Sequence, residues 1–174
     1  AALEGSSWHL VTSAIEHPAV LEPCRFLERR GVPVTWLPCG ADGRVAPEAL
    51  RAALRPETRL VSVMAANNVT GVLQPVRELA AICTERGVPF HTDAVQAAGK
   101  VPVDVLADGV SLLSLSAHKI HGPKGAAALV VRKGTPLAPL LLGGGQEGGL
   151  RPSTENVAAI AGLGKAAELA ALEM

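Results

Sequence analysis

The sequence predicts an α/β fold, a mainly parallel sheet flanked by helices. Three observations carry this. Short Val/Leu-rich runs alternate with amphipathic stretches, those stretches close on Gly or Pro, and 48% of the 174 residues are hydrophobic, enough to bury one core. Residues 10–12 read as a strand end. Residues 18–30 read as a helix whose basic last residues and following Gly31 suit a C-terminus. Residues 34–37 are the next strand. The turn at Ala41, Asp42 and Gly43 leads to a helix over 47–54 with Pro47 in its first turn, then to an apolar strand over 60–64. Asn67 and Asn68 open a loop. A helix over 76–86 closes on Gly87, and strands follow over 88–92, 111–115 and 126–131. Gly143–Gly145 and the pair Gly148 and Gly149 mark a tightly turned loop before a long Ala/Leu helix over 156–172. No internal repeat interrupts the order, so residues 1–174 read as a single domain.

Charge and composition exclude several function classes. Sixteen Lys and Arg balance sixteen Asp and Glu, so nothing marks the chain for a nucleic-acid backbone or an anionic membrane. Aromatic residues make up only 2%, with no Tyr, which leaves almost no platform for stacking bases. The first residues lack the basic-then-apolar order of a signal peptide, and no apolar run is long enough for a bilayer. The expected location is cytoplasmic. Cys24, Cys39 and Cys83 form neither a disulfide framework nor a CxxC knuckle.

In open parallel sheets, ligands bind beyond the carboxyl ends of the strands. Four such places carry polar residues: His17; Asn67 and Asn68; Asp93 and Gln96; and Ser116, His118 and Lys119. Converging on one crevice, they could bind a phosphorylated, nitrogen-containing cofactor and move protons beside it. A dinucleotide is not expected, because no GxGxxG follows the first strand. A metal site built from His91, Asp93, His118 and His121 lacks the spacing of a standard zinc centre.

Three segments narrow the chemistry: His91, Thr92, Asp93, Ala94, Val95 and Gln96; then Ser114 through Gly125, reading SLSAHKIHGPKG; then Arg151 through Asn156, reading RPSTEN. From about Val11 to Ala170 the chain resembles the cysteine desulfurases of the pyridoxal-phosphate-dependent class V aminotransferases, the branch that includes selenocysteine lyases. The resemblance implies a fold-type I large domain with pyridoxal 5'-phosphate as cofactor. It assigns Lys119 as the covalent anchor and later proton shuttle, Asp93 as partner of the pyridinium nitrogen, and Gln96 as partner of the ring hydroxyl. Ser116 and His118 take the phosphate side. His17 stacks on the ring and takes part in proton transfer, and Asn68 lies near the ring hydroxyl and substrate carboxylate. Thr154 reaches the phosphate in the other subunit of a homodimer. Without the resemblance, Asp93 reads as a helix N-cap, Asn68 as an Asx-turn and Thr154 as the N-cap of the last helix.

The implied reaction takes sulfur or selenium from L-cysteine or L-selenocysteine, leaving L-alanine, for sulfur transfer to an acceptor protein or for iron–sulfur cluster assembly. In that family a nucleophilic cysteine and a carboxylate-binding arginine belong to a small domain beyond this stretch. The three cysteines here match neither position, and Cys24 and Cys83 are expected to be buried helical residues. Three positions depart from the branch pattern: Val69 for Glu, Ser111 for Asp, and Ser153 for a Gly whose backbone angle other residues adopt only with strain. Two other readings stand beside this one, a different class V activity and a non-catalytic scaffold for dimerisation or partner binding.

Overall fold

The structure is a computed structural model and describes residues 8–174. Six strands form one sheet: β1 (His9–Ser13), β2 (Val34–Leu37), β3 (Thr58–Ser62), β4 (Phe90–Asp93), β5 (Leu112–Ser116) and β6 (Ala127–Val131). Their order is β2-β1-β3-β4-β5-β6, parallel throughout except that β6 runs antiparallel to β5. The mainly parallel α/β sheet read from the sequence is the one observed. Register pairs Val11 with Val61 and Asp93 with Ser114.

Among the described residues four α-helices accompany the sheet: α1 (Pro18–Arg29), α2 (Pro47–Ala53), α3 (Val76–Glu85) and α4 (Val157–Glu173). The main core joins Val11, Val61, Val63, Phe90 and Leu113 of the sheet region to Leu50 of α2 and to Leu79, Ile82 and Cys83 of α3. Such near-continuous apolar strands are what a parallel sheet covered by helices requires. A smaller cluster packs Ala159, Leu163 and Ala166 of α4 against Ala117, Ile120 and Ala126. None of these helices is long and apolar enough to cross a membrane.

Two strands lie away from the residues expected. The third spans Thr58–Ser62, two residues earlier than 60–64, and the carboxylate of Glu16 takes the amide of Met64 at 2.7 Å. The fourth begins at Phe90, because the amide of Val88 still bonds the Cys83 carbonyl and closes α3. The last helix is capped by Asn156, whose side chain accepts from the Ala159 amide at 3.2 Å, and not by Thr154.

Directly after β5 the chain makes a 3-10 turn, Ala117–Ile120, and His121 leaves it in the left-handed region at φ 64°. Glycine lets other segments approach this turn. A β-carbon on Gly99, where φ is 70°, would lie 2.8 Å from Ile120 Cγ2 and 3.0 Å from Ala170 Cβ. Gly99→Val is therefore expected to cost about 2–4 kcal/mol, combining left-handed backbone strain with overpacking. Urea unfolding midpoints at unchanged slope measure that loss.

Candidate functional site

Parallel order reverses between β1 and β3, since β1 continues to β2 on one side while β3 continues to β4 on the other. Loops leaving such a point part from one another and open a crevice. Here it has a volume of about 430 Å³ and is lined by His17, Asn68, Asp93, Gln96, Ser116, His118 and Lys119, with Met64, Ala66 and Val95 among its apolar walls. That volume suits a small cofactor. All but one of the residues given a cofactor role by the resemblance line this crevice. The exception, Thr154, is exposed and does not line it, and neither do Asn67, His91 and His121.

Local bonds aim four of these groups, those of His17, Asp93, Ser116 and His118. His17 is the N-cap of α1, and its Nδ1 accepts from the Ala19 amide at 3.1 Å. That bond assigns Nδ1 as the unprotonated nitrogen, so a neutral ring carries its proton on Nε2. Asp93 ends β4, 9% exposed, with Oδ1 accepting from the Val95 amide at 2.9 Å. Its capping role is thus an Asx-turn and not a helix N-cap, and Oδ2 is left for the crevice. Ser116 Oγ and His118 Nδ1 lie 2.9 Å apart. Among the described residues no carboxylate pairs with Lys119. The Lys100 ammonium donates to the carbonyls of Gln96 at 3.2 Å and Lys119 at 3.5 Å, joining the two segments that carry those side chains.

The two neighbouring asparagines divide their work. Asn67 makes the turn: its Oδ1 accepts from the amides of Val69 and Thr70, each at 3.0 Å, and its Nδ2 donates to the Ile15 carbonyl. The Asx-turn considered for Asn68 therefore belongs to Asn67, and Asn68 faces the crevice with its amide uncommitted among the described residues.

Under Asp93 on β4, His91 bridges Ser62 on β3 at 2.8 Å and Ser114 on β5 at 2.9 Å. Burial pushes its imidazole below the ordinary value, against the opposing charge of Asp93. With both nitrogens engaged, His91 ties β4 to its two neighbouring strands and is not a free ligand. Among the described residues no group of three or more His, Cys, Asp or Glu is placed to hold a metal ion.

Glu16 was not among the residues singled out from the sequence, where it is flanked by the exposed Ala14 and His17 and the half-buried Ile15. It is 4% exposed, and burial pushes its carboxyl up to about 7. The two helical cysteines give no accessible nucleophile. Cys24 and Cys83 are buried on α1 and α3 as expected, and burial raises the Cys83 thiol to about 12. Ser153 does adopt the left-handed angle expected of a glycine, with φ 94°. Ser111 turns its hydroxyl to the Phe90 amide, and Val69 is 85% exposed.

A family model described as aminotransferase class-V matches residues 5–174. A cysteine desulfurase IscS of Dictyoglomus turgidum is 54% identical over 173 residues, covering 99% of this chain and 44% of that protein. A mitochondrial cysteine desulfurase of Arabidopsis thaliana is 54% identical over 168 residues, covering 95% of this chain and 37% of that one. Among solved structures, one described as SspA in complex with cysteine superposes with a TM-score of 0.92 at 44% identity, over 95% of this chain and 48% of that one. A NifS-like protein gives a TM-score of 0.94 at 42% identity, over 99% and 48%. The chain thus spans less than half the length of these relatives.

Proposed function

The chain belongs to the aminotransferase class-V family, and from that premise we propose that it is the cofactor-binding large domain of a pyridoxal-phosphate-dependent cysteine desulfurase. The observation that carries this reading is the convergence of His17, Asn68, Asp93, Gln96, Ser116, His118 and Lys119 on one crevice at the sheet's switch point. The groups present fit pyridoxal phosphate. An unpaired amine, a buried carboxylate with one free oxygen, hydroxyl and imidazole donors and an apolar wall are what an aldehyde, a pyridinium, a phosphate and a ring require.

When bound, the cofactor supplies an electron sink for the carbon that carries the substrate amine. Everything else falls to the chain. Lys119 anchors the cofactor through Nζ and then holds and returns a proton at that atom. Asp93 keeps a negative charge at the ring nitrogen, and Gln96 and Asn68 orient the ring hydroxyl and the substrate. Ser116 and His118 hold the phosphate. His17 covers the ring and presents Nε2 for proton transfer.

The substrate class is L-cysteine, supported by the relatives' descriptions and by the neighbour solved with cysteine; L-selenocysteine offers the same amine and carboxylate. The product is L-alanine, with sulfur passing to an acceptor protein or to iron–sulfur cluster assembly. A homodimer in the cytoplasm completes the reading, with Thr154 reaching the partner's site. Its support is the exposed apolar stretch beside Thr154, where Leu140 is 95%, Leu142 88% and Val157 72% exposed. In the intact protein supplied with pyridoxal phosphate, L-cysteine and a reductant, alanine and sulfide are expected in equal amounts. Conversion of the amino acid to a keto acid without sulfide contradicts the desulfurase reading and favours another class V activity.

A further inference from the structure

We propose that Glu16 is a positioning residue of this crevice, its Oε1 holding the turn that carries His17 against the segment that leads from β3 to Asn68. The inference rests on the cofactor reading for what the crevice binds. Oε1 accepts from the Ser13 hydroxyl at 2.5 Å, at the end of β1, and from the Met64 amide at 2.7 Å, just beyond β3. Those are the two strands between which the sheet order reverses. Met64, Ala66 and Asn68 line the crevice, and so does His17, the next residue after Glu16. A single buried oxygen therefore ties the two segments that bring these residues to the crevice, and its removal leaves a buried amide and a buried hydroxyl unpartnered.

The second oxygen, Oε2, is buried and has no hydrogen-bond partner. The titratable groups that act on this carboxyl are Asp93 at the end of β4 and Cys24 on α1, neither of which becomes a cation. Burial pushes the carboxyl from 4.5 up to about 7. The folded chain thus keeps a proton that the unfolded chain has released. This carboxyl's contribution to stability is full below pH 4.5 and is lost as pH rises through about 7. A glutamine accepts from Ser13 and Met64 through its amide oxygen but does not titrate.

The test compares wild type, Glu16→Gln and Glu16→Ala in the intact protein. It uses amide exchange at Met64, thermal midpoints without cofactor from about pH 5 to about pH 8, and affinity for pyridoxal phosphate by absorbance. Glu16→Gln is expected to keep Met64 protected, to bind within about threefold of wild type near pH 6, and to lose the wild type's decline in midpoint toward pH 8. Glu16→Ala is expected to lose Met64 protection and about tenfold or more in affinity. An alanine variant that binds as wild type does overturns the proposal. If that variant does not fold, unprotected Met64 in Glu16→Gln, or a midpoint difference from wild type that stays flat with pH, overturns it. A wild type that binds no pyridoxal phosphate refutes the cofactor reading instead, while Met64 exchange still decides the role of Glu16.

Discussion

Asp93→Asn is expected to lower the rate of alanine formation about a hundredfold or more while leaving the fold and most of the cofactor affinity in place. The substitution separates two jobs done by one side chain. Oδ1 accepts from the Val95 amide at 2.9 Å, and an asparagine oxygen at the same position keeps that turn. What disappears is the negative charge at the end of β4, which the proposed mechanism uses to hold the ring nitrogen protonated. Removing a fixed electrostatic partner from a site that excludes water typically costs that much in rate. Steady-state alanine production beside a thermal melt distinguishes the two jobs. A fully active Asp93→Asn protein contradicts the role given to the carboxylate.

Lys119→Ala is expected to remove turnover by about four orders of magnitude, since the anchor and the proton carrier are lost together. The variant should still bind pyridoxal phosphate reversibly, because Asp93, Gln96, Ser116 and His118 line the crevice independently of it. No fold penalty is expected: Lys119 is exposed, and Lys100 reaches only its carbonyl, which any residue supplies. Alanine formation at saturating cofactor reads the first expectation and dialysis the second. Residual turnover within tenfold of wild type moves the proton carrier elsewhere, with His17 the next candidate in the crevice.

The order of elements was legible because each apolar run carries its own punctuation. Pro18 and Pro47 open α1 and α2, and Gly31 and Gly87 follow α1 and α3. The end of β3 was not, because it depends on Glu16, far away in sequence, whose side chain takes the Met64 amide. The start of β4 escaped for a related reason, since Val88 is apolar like a strand residue yet its amide completes α3.

Of the candidate site, the residues following strand ends could be read directly, since topology alone sends them to one edge of the sheet. Roles within pairs could not. Nothing in the dipeptide says that Asn67 makes the turn while Asn68 faces the crevice; the contacts with Ile15, Val69 and Thr70 decide it. The left-handed angle at Ser153 was legible only through the glycine it replaces in the family pattern. Glu16 was overlooked because its importance lies in burial and in two acceptor bonds, neither of which leaves a spacing signature.

The central claim is that Lys119 anchors pyridoxal phosphate in this crevice. Borohydride reduction of the intact protein loaded with the cofactor, followed by peptide mapping, tests it most directly. The account predicts one stoichiometric label, on Lys119. Label confined to Lys100 or Lys124, or none in a protein shown to be folded, contradicts it.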